Sequence, residues 1–170
     1  MRIFLIGFMG SGKTSLGKEL ANKLGISFID LDDVIEKKSG KSINNIFSEI
    51  GEEGFRKIEH ECLKELISIK NTVIATGGGT PCFCNNMEFI NKNGISVYIK
   101  FNKGILTSRL FKNKGNRPLL NEFASKEEFK KFIDAKLTER EKFYLESKFI
   151  IEDKNISAKK IIEMLAGSAF

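Results

Sequence analysis

Tryptophan is missing from this chain of 170 residues, histidine occurs once and cysteine three times. Each scarcity removes a class of chemistry. Cys62, Cys82 and Cys84 cannot all pair within one chain. Cys82 and Cys84 stand two apart with no matching pair elsewhere, which is poor zinc spacing. Ordinary thiols in a reducing cytosol follow. His60 has no evident partner, so it reads as a surface residue and not as a catalyst. No apolar run approaches the roughly 20 residues of a membrane-spanning helix. The N-terminus runs straight into an apolar strand, so no signal peptide is expected. Repeats and low-complexity tracts are also lacking.

What is present suits one domain. At this length roughly 70% of the unfolded surface can be buried, and an apolar fraction of 41% supplies a core. The net charge is +6. That favours anionic ligands such as ATP and an acidic metabolite, and leaves nucleic acid open.

Residues Gly7 to Thr14 read Gly-Phe-Met-Gly-Ser-Gly-Lys-Thr, which fits the phosphate-binding pattern G-x-x-x-x-G-K-[ST]. Glycines let the loop turn tightly and bring backbone N–H groups to phosphate oxygens. Lys13 adds a mobile positive charge, Thr14 offers a hydroxyl to Mg²⁺, and the following helix presents its positive dipole end. The apolar run Arg2 to Ile6 before the loop suits a buried parallel strand. Leu16, Leu20 and Leu24 behind it repeat at helical spacing, with Gly25 as a C-terminal stop.

A second strand, Ser27 to Leu31, ends in Asp30, Asp32 and Asp33. One of the three should cap a helix beginning at Val34, leaving two for Mg²⁺ and a substrate hydroxyl. Residues 34–67 read as helix broken at Gly40, Gly51 and Gly54, with Ile43, Ile46, Phe47 and Ile50 on one apolar face. Arg56, Glu59 and His60 share another face, where a solvated ion pair is the ordinary reading. A third strand, Thr72 to Thr76, runs into Gly77-Gly78-Gly79. No acid ends it, so the usual Walker-B aspartate is absent and Asp30 must take that work in a phosphotransferase. Thr80-Pro81-Cys82-Phe83 carries no assignable chemistry. A helix around Met87 to Ile90, a strand from Ile95 to Lys100 and a helix containing Ile105 to Leu110 follow. The basic segment from Lys112 to Asn121 has the character of a lid over phosphates, or of a plain solvated loop. A long helix from about Lys126 to Ser147 carries Arg140, either a substrate clamp or a surface residue. Phe149-Ile150-Ile151 forms a fifth strand, and a last helix follows Asn155. Five strands alternating with helices specify a parallel α/β sheet.

Taken together, Gly7 to Thr14, Asp30-Leu31-Asp32, Ile35-Glu36, Gly51-Glu52, Phe55-Arg56 with Glu59, Gly77-Gly78-Gly79, Arg117-Pro118-Leu119-Leu120 and Arg140 with Tyr144 make a set. This set resembles shikimate kinase and covers nearly the whole chain. The resemblance implies ATP-dependent phosphorylation of the 3-hydroxyl of shikimate, on the way to chorismate and aromatic amino acids. It implies a three-layer, nucleoside-monophosphate-kinase-like P-loop fold whose five parallel strands run in the order 2-3-1-4-5. One domain would span 1–170, with a substrate-binding region at about 32–61 and a lid at about 112–124. The protein would be a cytoplasmic monomer, with ATP and shikimate as ligands, one Mg²⁺ and neither nucleic acid nor membrane as partner.

The resemblance also assigns roles. Gly10, Ser11, Gly12, Lys13, Thr14 and Ser15 would hold the nucleotide's phosphates. Thr14 and, through water, Asp30 would serve Mg²⁺. Asp32 would hold substrate hydroxyls and is the candidate base. Arg56 and Arg140 would bind the carboxylate, and Gly78 and Gly79 would hydrogen-bond the substrate through backbone groups. Arg117 would come down with the lid onto the transferring phosphate beside Lys13. Arg109, Lys154 and Asn155 would contact adenine. Arg117 is the lid's only arginine, and the adenine loop has none.

Other readings stay in view. A gluconate or nucleotide kinase would leave two arginines without a carboxylate to bind. A GTPase would need an aspartate where Asn91-Lys92-Asn93-Gly94 has glycine. A nucleic-acid-binding ATPase would want basic residues interleaved with aromatics on one face, whereas here they mix with acids along helices.

Overall fold

The computed structural model describes residues 1–112, 125–153 and 155–167. Five strands alternate with helices: β1 (Arg2–Ile6), α1 (Lys13–Leu24), β2 (Ser27–Asp30), α2 (Leu31–Ser39), α3 (Ile43–Glu65), β3 (Thr72–Ala75), α4 (Asn86–Asn93), β4 (Ile95–Lys100), α5 (Lys103–Lys112), α6 (Lys126–Tyr144), β5 (Phe149–Glu152) and α7 (Ala158–Gly167). Every pairing is parallel and the order is β2-β3-β1-β4-β5. Both the strand count and the order agree with the expectation above.

The unbroken apolar character of β1 has a simple cause. Ile3 and Leu5 face a layer made by α1 and α7, through Leu16, Leu20, Ile161 and Leu165. Phe4 and Ile6 face the opposite layer, among Leu31, Leu63, Leu106 and Tyr144. A strand covered on both faces has no polar side to show. Because β1 lies at the centre of the sheet, the loop that leaves it opens over the middle of the sheet's carboxyl edge.

Four local readings are corrected by the fold. Leu31 is not a strand residue: α2 starts there, three residues before Val34, because Asp30 and not Asp32 or Asp33 is its cap. Gly51 does break α3, with φ of 69° and ψ of −177°. Gly54 stays helical; its missing β-carbon makes room for Ile50, whose own β-carbon would otherwise stand 2.8 Å away. Ile50 is 48% exposed and leaves the apolar face expected of it. The long helix α6 ends at Tyr144, short of Ser147.

Candidate functional site

The loop after β1 is closed by its own lysine. Lys13 Nζ donates to the carbonyls of Gly7 at 2.7 Å and Phe8 at 3.0 Å, and the side chain is buried in the bend. Gly10 and Gly12 both adopt left-handed backbone, with φ of 78° and 79°, which L side chains resist. Ser11 is buried inside the turn, whereas Gly12, Thr14 and Ser15 face outward at the start of α1. The loop thus presents outward main chain at a helix N-terminus, an anion site in its own right.

Beside it stand the aspartates. Asp30 ends β2 and uses both carboxylate oxygens: Oδ1 accepts from the backbone N–H of Asp32 at 3.1 Å, and Oδ2 accepts from the Thr14 hydroxyl at 2.7 Å. The residue expected at the metal is therefore also the helix cap. Asp32 sits in the first turn of α2. Burial, followed by the charges of Asp30 and Glu59, lifts its carboxyl from 3.8 to about 6, although Lys13 pulls the other way.

The three glycines after β3 are where the other groups meet. A β-carbon at Gly77 would lie 3.0 Å from Asp32 Oδ1 and 3.1 Å from Glu59 Oε1. One at Gly78 would lie 3.1 Å from the backbone N of Met9 in the phosphate loop and 3.7 Å from Arg140 Nη1. One at Gly79 would lie 2.4 Å from Arg56 Nη2. Side chains from α2, α3 and α6, and the main chain of the phosphate loop, thus converge on one bare stretch of backbone. The Tyr144 hydroxyl holds that stretch by donating to the Gly78 carbonyl at 2.5 Å, one helical turn from Arg140.

Arg56 is not in a solvated ion pair. Its side chain is 9% exposed and that of Glu59 is 1% exposed. Nη1 reaches Glu59 Oε2 at 2.8 Å and Nη2 reaches Glu52 Oε1 at 3.0 Å. The guanidinium stacks 4.2 Å from the ring centre of Phe83. Its buried Nε has no hydrogen-bond partner among the described residues. His60 is likewise no free surface group: it is half-buried, with Nδ1 2.6 Å from Asn86 Oδ1 and its ring edge-on to Phe89. Both corrections have one cause. The segment from Thr80 to Asn86 folds over α3 and buries the face that carries Arg56, Glu59 and His60. Sequence reasoning left Thr80 and Phe83 without a role and read Glu59 only as part of a solvated ion pair. A glutamate three residues from an arginine on the same helical face was the available signal.

Arg109 lies on α5 with its guanidinium 4.7 Å from the ring centre of Phe101. The next residue, Leu110, packs on the phosphate loop, since a β-carbon at Gly10 would meet its Cδ2 at 2.8 Å. Arg109 itself is exposed. Asn155 is exposed beyond the end of edge strand β5, its backbone N–H bonded to Asp153 Oδ1 at 2.8 Å. Arg117, Lys154 and most of the expected lid lie outside the described residues. Among the described residues no group of three or more His, Cys, Asp or Glu side chains could hold a metal. No helix among them is long and apolar enough to cross a membrane.

Comparison with known proteins fits this geometry. The family model described as shikimate kinase matches residues 9–167. A shikimate kinase of Azobacteroides pseudotrichonymphae is 48% identical over 165 residues, covering 96% of each chain. The crystal structure of shikimate kinase from Bacteroides thetaiotaomicron superposes with a TM-score of 0.91 at 40% identity, covering 98% of each chain. Shikimate kinase from Acinetobacter baumannii in complex with shikimate superposes at 0.86 with 36% identity, covering 99% of this chain and 94% of that one. A match that runs from the phosphate loop through the glycine triplet to the last helix takes in every element that builds the site, and the chain belongs to the shikimate kinase family.

Proposed function

We propose that this kinase transfers the γ-phosphoryl group of ATP to the 3-hydroxyl of shikimate, giving shikimate 3-phosphate and ADP. The observation that carries the substrate is the convergence on the glycine triplet: Arg56 and Arg140 approach Gly79 and Gly78 while Asp32 approaches Gly77. Two guanidinium groups at one end of a short backbone ledge suit a carboxylate, which an arginine fork can grip by both oxygens. A carboxylate at the other end, next to the phosphate loop, suits hydroxyls.

In this reading Gly10, Ser11, Gly12, Thr14 and Ser15 bind the phosphates, and Lys13 exchanges its loop carbonyls for phosphate oxygens. Asp32 orients the acceptor hydroxyl and takes its proton. Gly78 and Gly79 meet the acceptor through backbone groups. Arg109 with Phe101 offers a flat cationic surface to adenine, and Lys154 and Asn155 border the same base. Arg117 belongs to a lid over about 112–124 and neutralises charge on the transferring group, while 32–61 forms the acceptor-binding region of a single domain over 1–170. The protein is a cytoplasmic monomer.

Mg²⁺ fits the pair formed by Thr14 and Asp30. Both offer hard oxygen, and two protein donors suffice for a cation that keeps its remaining positions for water and phosphate. When bound with ATP, the ion offsets phosphate charge. The protein's own share is positioning, electrostatics and exclusion of water, on which phosphoryl transfer chiefly depends.

A coupled ADP-release assay with shikimate as the sole acceptor tests the proposal. Turnover dependent on both ATP and shikimate is expected. Silence on shikimate with turnover of gluconate would overturn it.

A further inference from the structure

Glu59 is 1% exposed, and a carboxylate so enclosed needs both oxygens engaged. Oε2 accepts from Arg56 Nη1 at 2.8 Å, and Oε1 accepts from the Thr80 hydroxyl at 2.6 Å. Thr80 is fully buried and directly follows the glycine triplet. Its carbonyl accepts from Asn86 Nδ2 at 2.9 Å, and Asn86 Oδ1 meets His60 Nδ1 at 2.6 Å. His60 adjoins Glu59 on α3. The contacts therefore run from α3 through the turn after Gly79 to the start of α4 and back to α3. None of Thr80, Asn86 and His60 takes part in the transfer described above.

We propose that Thr80 is a positioning residue for the acceptor's carboxylate: its hydroxyl fixes Glu59, and Glu59 fixes the guanidinium of Arg56 beside Gly79. Asn86 and His60 close the circuit that holds Thr80 in place. The other partner of Arg56, Glu52, is 55% exposed and gives a weak anchor. Glu59 is the buried one, and it has two oxygens to orient. With the Thr80 hydroxyl in place, the carboxylate plane is set at both ends. Without it, Oε1 is left buried and unpaired close to Asp32, and Glu59 must turn to relieve that. Arg56 then loses the plane in which its fork meets a carboxylate.

The inference rests on the proposed reading of Arg56 as a carboxylate clamp, so the experiment separates the two. Steady-state kinetics of the full chain are measured for Thr80→Val, Thr80→Ser, Arg56→Lys, Glu59→Gln and the double variant Glu59→Gln/Thr80→Val. A hydrogen bond to a charged group is at stake, so Thr80→Val should raise the KM for shikimate roughly ten-fold, leave the KM for ATP within about two-fold and be restored by Thr80→Ser. The double variant should be no worse than Glu59→Gln alone, because Thr80 acts through that carboxylate. If Thr80→Val does not fold, Thr80→Ala makes the same deletion and the same shift is required of it. A normal shikimate KM in the threonine variants together with a raised one in Arg56→Lys overturns the role of Thr80 alone. A normal shikimate KM in all of them overturns the clamp beneath it.

Discussion

The Thr14 hydroxyl donates to Asp30 Oδ2 at 2.7 Å and so joins the first turn of α1 to the last residue of β2. The same aspartate caps α2 through its other oxygen. One side chain thus serves stability and, in the proposed function, the metal. The two uses separate by substitution. Asp30→Ala loses the cap and should cost about 1 kcal/mol in urea unfolding, besides its activity. Asp30→Asn still caps, so its stability should stay near the parent's while half-maximal turnover needs more Mg²⁺. Identical Mg²⁺ titrations for Asp30→Asn and the parent would remove Asp30 from the metal.

Asp32 has a folded-state value of about 6 against 3.8 unperturbed, with burial the main cause. Between these two values the folded state holds more protons than the unfolded chain. Stability therefore falls as pH rises from about 4 to about 6, and the full penalty, at most about 3 kcal/mol, stands above that range. Asp32→Asn should accordingly be more stable than the parent at pH 8, with the gap closing by pH 4. Activity moves the other way. The parent's kcat/KM for the acceptor should drop as pH falls through about 6, because a protonated Asp32 cannot receive a proton. Thermal melts of both proteins across this range decide it; a gap independent of pH would show that Asp32 carries no such penalty.

How far these groups were readable from sequence follows from their spacing. The phosphate loop is local, so its residue types specify it outright. The sheet order needed only alternating strands, right-handed crossovers and a family pattern. The setting of Arg56 was not local. Glu59 lies three residues away, but Thr80 lies 21 and Asn86 27 residues beyond Glu59, on a segment with no periodic pattern. A helical face that looks amphipathic by itself cannot reveal that another stretch will cover it. His60 went astray for the same reason, its partner lying 26 residues off. Asp30 shows a different limit: a cap and a metal ligand call for the same residue type at the same place.

Arginine and lysine differ most where a planar fork matters, and Arg56 and Arg140 test this. Either change to lysine should raise the shikimate KM at least several-fold while the KM for ATP barely moves. Unaltered acceptor KM in both variants would count against the pair as a clamp.

Arg117 sits in the segment assigned to the lid. If it meets charge that develops during transfer, Arg117→Ala should lower kcat by on the order of 10³-fold and change either KM far less. Normal turnover in single-turnover measurements would take the lid arginine out of the mechanism.

Gly79 offers a test of geometry without a change of charge. Its φ of −90° and ψ of −19° are ordinary for alanine, so Gly79→Ala brings no backbone strain. It does bring a methyl group to a place 2.4 Å from Arg56 Nη2 and 2.8 Å from Cζ, where something must move. A long exposed arginine would swing aside at little cost. Arg56 is held between Glu59, Glu52 and the ring of Phe83, so moving it disturbs the anchors as well. The expected result is a raised shikimate KM and a modest loss of stability, with the KM for ATP unchanged, because the phosphate loop is approached by Gly78 and not by Gly79. Gly78→Ala should differ: its β-carbon would press on the Met9 backbone at 3.1 Å and disturb both ligands. Measuring both KM values for both variants decides the matter, and equal effects on ATP and shikimate from Gly79→Ala would mean that Arg56 does not face the acceptor alone.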